Sequence, residues 1–168
     1  MEKFSYFVLA RTLHVVGVVI WIGGVAFVTT VLIPSLKKIT DTNDRLELFE
    51  QLEGKFSFQA KIATLITVVS GVFMLDFMNA WDRYLHLQYW WIHLMTFIWV
   101  IFTIVLFVLE PLFLHRWFRE QANKDSENAF AWLHRLHMVL LTLSILALLG
   151  AVAGSHGFNF LKLLFNFI

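Results

Sequence analysis

The chain has 168 residues, of which 59% are hydrophobic and only 15% charged, and its mean hydropathy is +0.72. A soluble domain carries about a quarter charged residues, so this composition points to a lipid bilayer as solvent. The net charge of +1 argues against a nucleic-acid partner. The absence of cysteine excludes disulfides, thiolate metal sites and Fe–S clusters.

A helix needs about 20 predominantly apolar residues to cross the hydrocarbon core. Four segments meet that requirement: 6–33, 58–80, 89–114 and 129–155. The polar stretches between them are short. The predicted fold is therefore all-α, an integral membrane four-helix antiparallel bundle forming a single domain over residues 1–168. The first run is too long for a cleavable signal and lacks a small-residue cleavage site.

The first span is predicted to stop at Pro34. It contains His14, an ionisable side chain whose cost in lipid makes it a functional-site hypothesis by default. Arg11, Gly17, Trp21 and Gly24 lie on or near the same helical face. That face offers an imidazole, a cation for an anionic group, and two patches without side chains. A b-type haem fits the description, and so does close packing of a second helix. Beyond Pro34, Leu46, Phe49 and Leu52 recur at spacing three. They predict a short amphipathic helix over 42–53 on the cytoplasmic surface, capped by Asp41 or Asp44. Its acidic face reads as solvated.

The second span carries Met74 and Met78, four apart. The third opens with His93 beside Trp90 and Trp91 and closes with Glu110 just before Pro111. Neutralisation of Glu110 by His134, Arg135 or His137 is the expected role of that carboxylate. In the fourth span, His134, His137, Leu141, Ser144, Leu148, Ala151 and Ser155 fall on one stripe, predicted to face the bundle interior. Gly150 and Gly154 form a small-xxx-small pair suited to helix packing.

Lys and Arg near the span ends set orientation. The first and third loops carry eight, and the opposite side carries three: Lys3, Arg83 and Lys162. Both termini are accordingly predicted to be non-cytoplasmic. With about 1.5 Å rise per residue, His14 and His93 share a layer on the outer side of their helix midpoints, and His137 lies about 8 Å to the inner side. His14 and His93 are therefore the first choice of axial pair, with Arg11 and Arg83 available to haem propionates. His137 or His134 would serve a second haem, or replace His93 if the helices tilt. His86 and His115, in or near loops, read as solvated.

Leu13-His14 followed by Trp21-Ile22-Gly23-Gly24, then Pro34 and Gly71-Val72-Phe73-Met74-Leu75, resembles the copper-resistance D-type membrane proteins and the related HemJ-type protoporphyrinogen oxidases. The resemblance is clearest in the first half. The segments Trp90-Trp91-Ile92-His93, Leu109-Glu110-Pro111-Leu112, Leu133-His134-Arg135-Leu136-His137 and Gly150 to Gly157 look more like a separate branch of that superfamily. The resemblance implies a four-helix, haem-binding protein of the bacterial inner membrane. It further implies porphyrinogen oxidation in one branch and copper movement across the membrane in the other. Only His14 matches the shared first-helix motif. Pro34-Ser35-Leu36-Lys37-Lys38 departs from the HemJ pattern of a basic cluster directly after the proline.

Three functions follow. The first is a cytochrome b-like protein that transfers electrons within the membrane, to or from a quinone or a small molecule, with one or two haems. The second is copper binding or transport, using the thioethers of Met74, Met78 and Met95. The third is a non-catalytic membrane subunit. Candidate partners are the bilayer, haem, a quinone and a second copy of the chain.

Overall fold

A computed structural model describes residues 2–158, so Lys162 lies outside the described residues. Helix α1 (Glu2–Phe27) passes through a widened, π-helical stretch (Val28–Leu32) into α2 (Ile33–Leu36) without leaving helical backbone geometry. Pro34 was expected to end this helix, yet the helix continues past it to Leu36. A proline lacks the N–H and crowds the carbonyl four residues back. Here the preceding turn is wide, and the Ile33 N–H reaches the Val28 carbonyl five residues back. The widened turn relieves the crowding and the helix survives.

The expected amphipathic helix at 42–53 is not a separate element. It fuses with the second span into α3 (Thr42–Phe77), a continuous helix of 36 residues. Asp41 caps it, accepting hydrogen bonds from the backbone N–H of Asn43 at 2.8 Å and of Asp44 at 3.0 Å. Gly54 is the only breaker at the junction, and one glycine costs a helix only about 1 kcal/mol. The helix stops at Phe77, before the expected end near 80, because Asn79 adopts a left-handed conformation (φ 46°).

Two short 3-10 turns (Trp81–Leu85 and Leu87–Tyr89) lead into α4 (Trp90–Ile104). A second π-helical stretch (Val105–Leu114) holds Pro111 and continues into α5 (His115–Lys124). The third loop shrinks to Asp125, which caps α6 (Ser126–Ser155) through the Asn128 N–H at 3.0 Å. The four continuous helical runs are long and apolar enough to cross a membrane.

Side-chain pairings show the antiparallel register directly. Phe7 stacks on Phe77 at 4.9 Å, Gly17 faces Ala63 and Thr67, and Gly24 faces Phe56. Each step up α1 is a step down α3. In the other half, Gly150 and Gly154 of α6 receive the indoles of Trp90 and Trp91. The middle of the bundle is filled by Trp21, Val25, Ala60, Ile98, Phe102 and Leu141. A second apolar cluster at the α2 and α5 end centres on Ile33, Leu36, Phe49 and Phe130.

The interior face of α6 differs from the predicted stripe. Leu140, Leu141, Ser144, Ala147 and Gly150 are buried, whereas Leu148 and Ser155 are exposed. A strict heptad drifts against a straight helix of 3.6 residues per turn, so the far end of the stripe rotates outward.

The glycines give a paired test. A Cβ at Gly154 would overlap the Trp91 ring, whereas one at Gly54 meets nothing. Equilibrium unfolding in detergent should show Gly154→Ala losing about 1–3 kcal/mol, the usual cost of overpacking. Gly54→Ala should be neutral or gain up to about 1 kcal/mol of helix propensity.

Candidate functional site

His14 is half-buried between α1 and α3. Its Nδ1 lies 2.9 Å from the Thr67 carbonyl oxygen and 3.2 Å from Ser70 Oγ. The Ser70 hydroxyl donates to the Ile66 carbonyl at 2.5 Å. A carbonyl only accepts, so His14 Nδ1 carries the proton and the neutral ring keeps its lone pair on Nε2. Gly71 allows this approach, since a Cβ there would sit 3.2 Å from His14 Cε1. An imidazole oriented by a backbone acceptor through one nitrogen is the usual state of a metal-ligating histidine.

The other expected ligands differ in their state. His93 directs Nε2 to the Tyr84 carbonyl at 2.9 Å, packs edge-on against the Tyr84 ring at 5.5 Å, and has Nδ1 3.4 Å from the Tyr89 carbonyl. It pins the turn region 81–89 onto α4. Its partners and those of His14 have no residue in common. His137 is half-buried on α6, with Nδ1 donating to the Leu133 carbonyl at 2.9 Å, so it presents the same tautomer as His14. His134 is half-buried one turn away. Arg11 is exposed, and Arg83 lies over the Tyr89 ring at 5.3 Å. Of the two uses weighed for Gly17 and Gly24, helix packing is the one seen, because Thr67 and Phe56 of α3 cover them.

Trp21 is buried with its ring edge-on to Phe102 at 5.0 Å. Among the described residues its indole Nε1 has no hydrogen-bond partner, and neither do Trp99 Nε1, Thr64 Oγ1 or Thr103 Oγ1, all shielded from solvent. Unpaired buried donors are costly, and a bound polar group or ordered water would satisfy them. A cavity of about 250 Å³ lies between α1 and α3, lined by Leu13, Val16, Gly17, Ile20, Ile62 and Ile66 among others. Small-molecule and cofactor pockets run from about 300 Å³ upward, and His14 is not among the residues that line this groove, so the groove as it stands does not hold a macrocycle against His14. The donor set at His14 fits an axial ligand. For copper, Met95 packs against the central core and Met78 is exposed.

The most developed polar constellation was missed as a unit. Glu110 is buried, and its partners are not the expected His134, Arg135 or His137. One oxygen accepts from the Ser57 hydroxyl, and the other lies 2.9 Å from Lys61 Nζ and 3.8 Å from His115 Nε2. His115 Nδ1 is in turn 3.6 Å from Glu53 Oε2. His115 is exposed, as expected for a solvated position, and it also faces two carboxylates. Arg45 was also overlooked. It is buried, donates to the Ile39 carbonyl at 3.0 and 2.6 Å, and reaches Ser126 at 3.0 Å and Glu127 at 2.7 Å. It clamps the α2–α3 connection to the start of α6. Its helical position, four residues before Phe49 on the apolar face, was the available signal.

Comparison with family models, with curated proteins and with solved structures gives no match.

Lys61 is the charge partner of a buried carboxylate, so Lys61→Met should lower unfolding stability. About 2–3 kcal/mol is expected, below the full range for a buried pair because Lys61 is partly exposed. The double variant Lys61→Met/Glu110→Gln should recover much of that loss in the same unfolding assay.

Proposed function

We propose that this chain is a multi-pass inner-membrane protein that holds b-type haem through His14 and passes electrons within the bilayer. A quinone or a small-molecule substrate is the exchange partner. The observation that carries this reading is the hydrogen bond from His14 Nδ1 to the Thr67 carbonyl, which leaves Nε2 as a lone-pair donor inside a span. When bound, a b-type haem supplies one-electron chemistry whose potential is set by axial ligands and burial.

The protein's part in this mechanism is orientation and exclusion of water. Thr67 and Ser70 hold the His14 ring, and Gly71 makes room for it. His137, with the same tautomer and on a helix that touches α1, is favoured over His93 as second ligand, because His93 Nε2 is engaged by Tyr84. Arg11 is exposed near His14 in sequence and suits an anionic propionate. Haem attachment is non-covalent, since the chain has no cysteine.

Detergent-purified protein from haem-replete cells should show a Soret band, with a sharp α-band on reduction. His14→Ala should remove most of the haem, and His137→Ala should reduce haem content more than His93→Ala does. Normal haem retention in His14→Ala would overturn the assignment. The eight-to-three distribution of Lys and Arg supports non-cytoplasmic termini. Reporter fusions at Lys124 and at the C-terminus should report opposite sides, and a cytoplasmic C-terminal reporter would reverse the orientation.

A further inference from the structure

We propose that Glu53, Glu110 and His115 form a divalent-cation site at the α2 and α5 end of the bundle, separate from His14. Each of the three offers one ligand atom, and these atoms lie within 4.8 Å of one another. Two carboxylate oxygens and an imidazole nitrogen form an N/O donor set suited to Zn²⁺, with positions left open for water. Zinc–ligand bonds of about 2.0–2.2 Å place tetrahedral ligands about 3.3–3.6 Å apart. His115 Nδ1 stands 3.6 Å from Glu53 Oε2 and the opposite ring nitrogen, Nε2, 3.8 Å from Glu110 Oε1, so one nitrogen must swing between the two carboxylates to serve a single ion. His115 is nearly half exposed, so its ring is free to turn one nitrogen toward the ion.

Two further observations call for a cation. Among the described residues Glu53 Oε2 has no hydrogen-bond donor although it is shielded from solvent, and His115 Nδ1 stands 3.6 Å from it. Such an oxygen is costly without a positive partner. Two carboxylates, Glu53 and Glu110, also share this corner with a single ammonium, Lys61. Ser57 already fixes the second oxygen of Glu110, the kind of outer hydrogen bond that orients a ligating carboxylate. A cation here competes with Lys61 for Glu110 Oε1.

The test uses the full chain in detergent, stripped with chelator and titrated with Zn²⁺ alone by calorimetry. One saturable equivalent per chain is expected. Glu53→Gln and His115→Ala should each weaken binding by about tenfold or more, while His86→Ala and His156→Ala, on exposed histidines, should not. Both site variants alter partly exposed residues and so guard against misfolding of Glu110→Gln. Zn²⁺ should also raise the thermal stability of Lys61→Met more than that of the parent, by taking the place of the lost ammonium. No saturable binding, or binding indifferent to Glu53→Gln and His115→Ala, would overturn the site. Haem content should be unchanged in Glu53→Gln, so the outcome here is independent of the haem reading.

Discussion

A helix that crosses lipid must satisfy its own backbone, because the hydrocarbon offers no partner for a stray N–H or carbonyl. That constraint governs how this chain uses its two prolines and its hydroxyls. Pro34 follows one π-helical stretch and Pro111 lies inside the other, so neither ends its helix. Thr29, Thr30, Thr67, Thr142 and Ser144 return their hydroxyl hydrogens to the carbonyl four residues back. Polar side chains are thereby carried through apolar runs at little cost. Continuous helices of this length bring distant sequence segments, such as 50 with 119, within reach of each other.

Close approach between those helices depends on residues without side chains. Gly17 and Gly24 let α3 lie against α1, and Gly150 and Gly154 receive the Trp90 and Trp91 indoles from α4. Among helices in lipid, packing contacts and hydrogen bonds replace the hydrophobic drive, so these contacts set the register. The register then decides which polar groups meet. With α1 and α3 held this close, His14 reaches the Thr67 carbonyl. With the Val105–Leu114 stretch set against α3, Glu110 meets Ser57 and Lys61.

The polar groups segregate into two kinds of environment. His14 is a single imidazole oriented by the Thr67 carbonyl and the Ser70 hydroxyl. The α2 and α5 end gathers carboxylates, an ammonium, an imidazole and the Arg45 guanidinium at short range. π-helical turns recur at functional sites, and the second one here carries Glu110. The proposed electron transfer and the proposed cation binding draw on separate sets of residues.

The all-helical class and four helices long enough to span a membrane follow from sequence alone, because burial in lipid demands long apolar runs and hydropathy records them. His14 also stood out unaided, as an ionisable group in such a run. Helix ends were less visible, since a widened turn can carry a proline and one glycine is too weak to break a helix at 54. What only the tertiary structure decided was partnership. Periodicity gives the face of a helix but not the neighbour it meets, so Glu110 was expected on α6 and found its partners on α3 and α5. His93, similar to His14 on hydropathy grounds, turns its Nε2 to the Tyr84 carbonyl because the 81–89 turns fold back over it. His115 is the surface residue it was read as, and it also faces two carboxylates because the helix continues past Pro111 and carries it over Glu53. The Glu110 and His115 outcomes rest on inter-helix register, which glycine contacts set between residues about 30 to 60 apart in the chain and which no local pattern encodes.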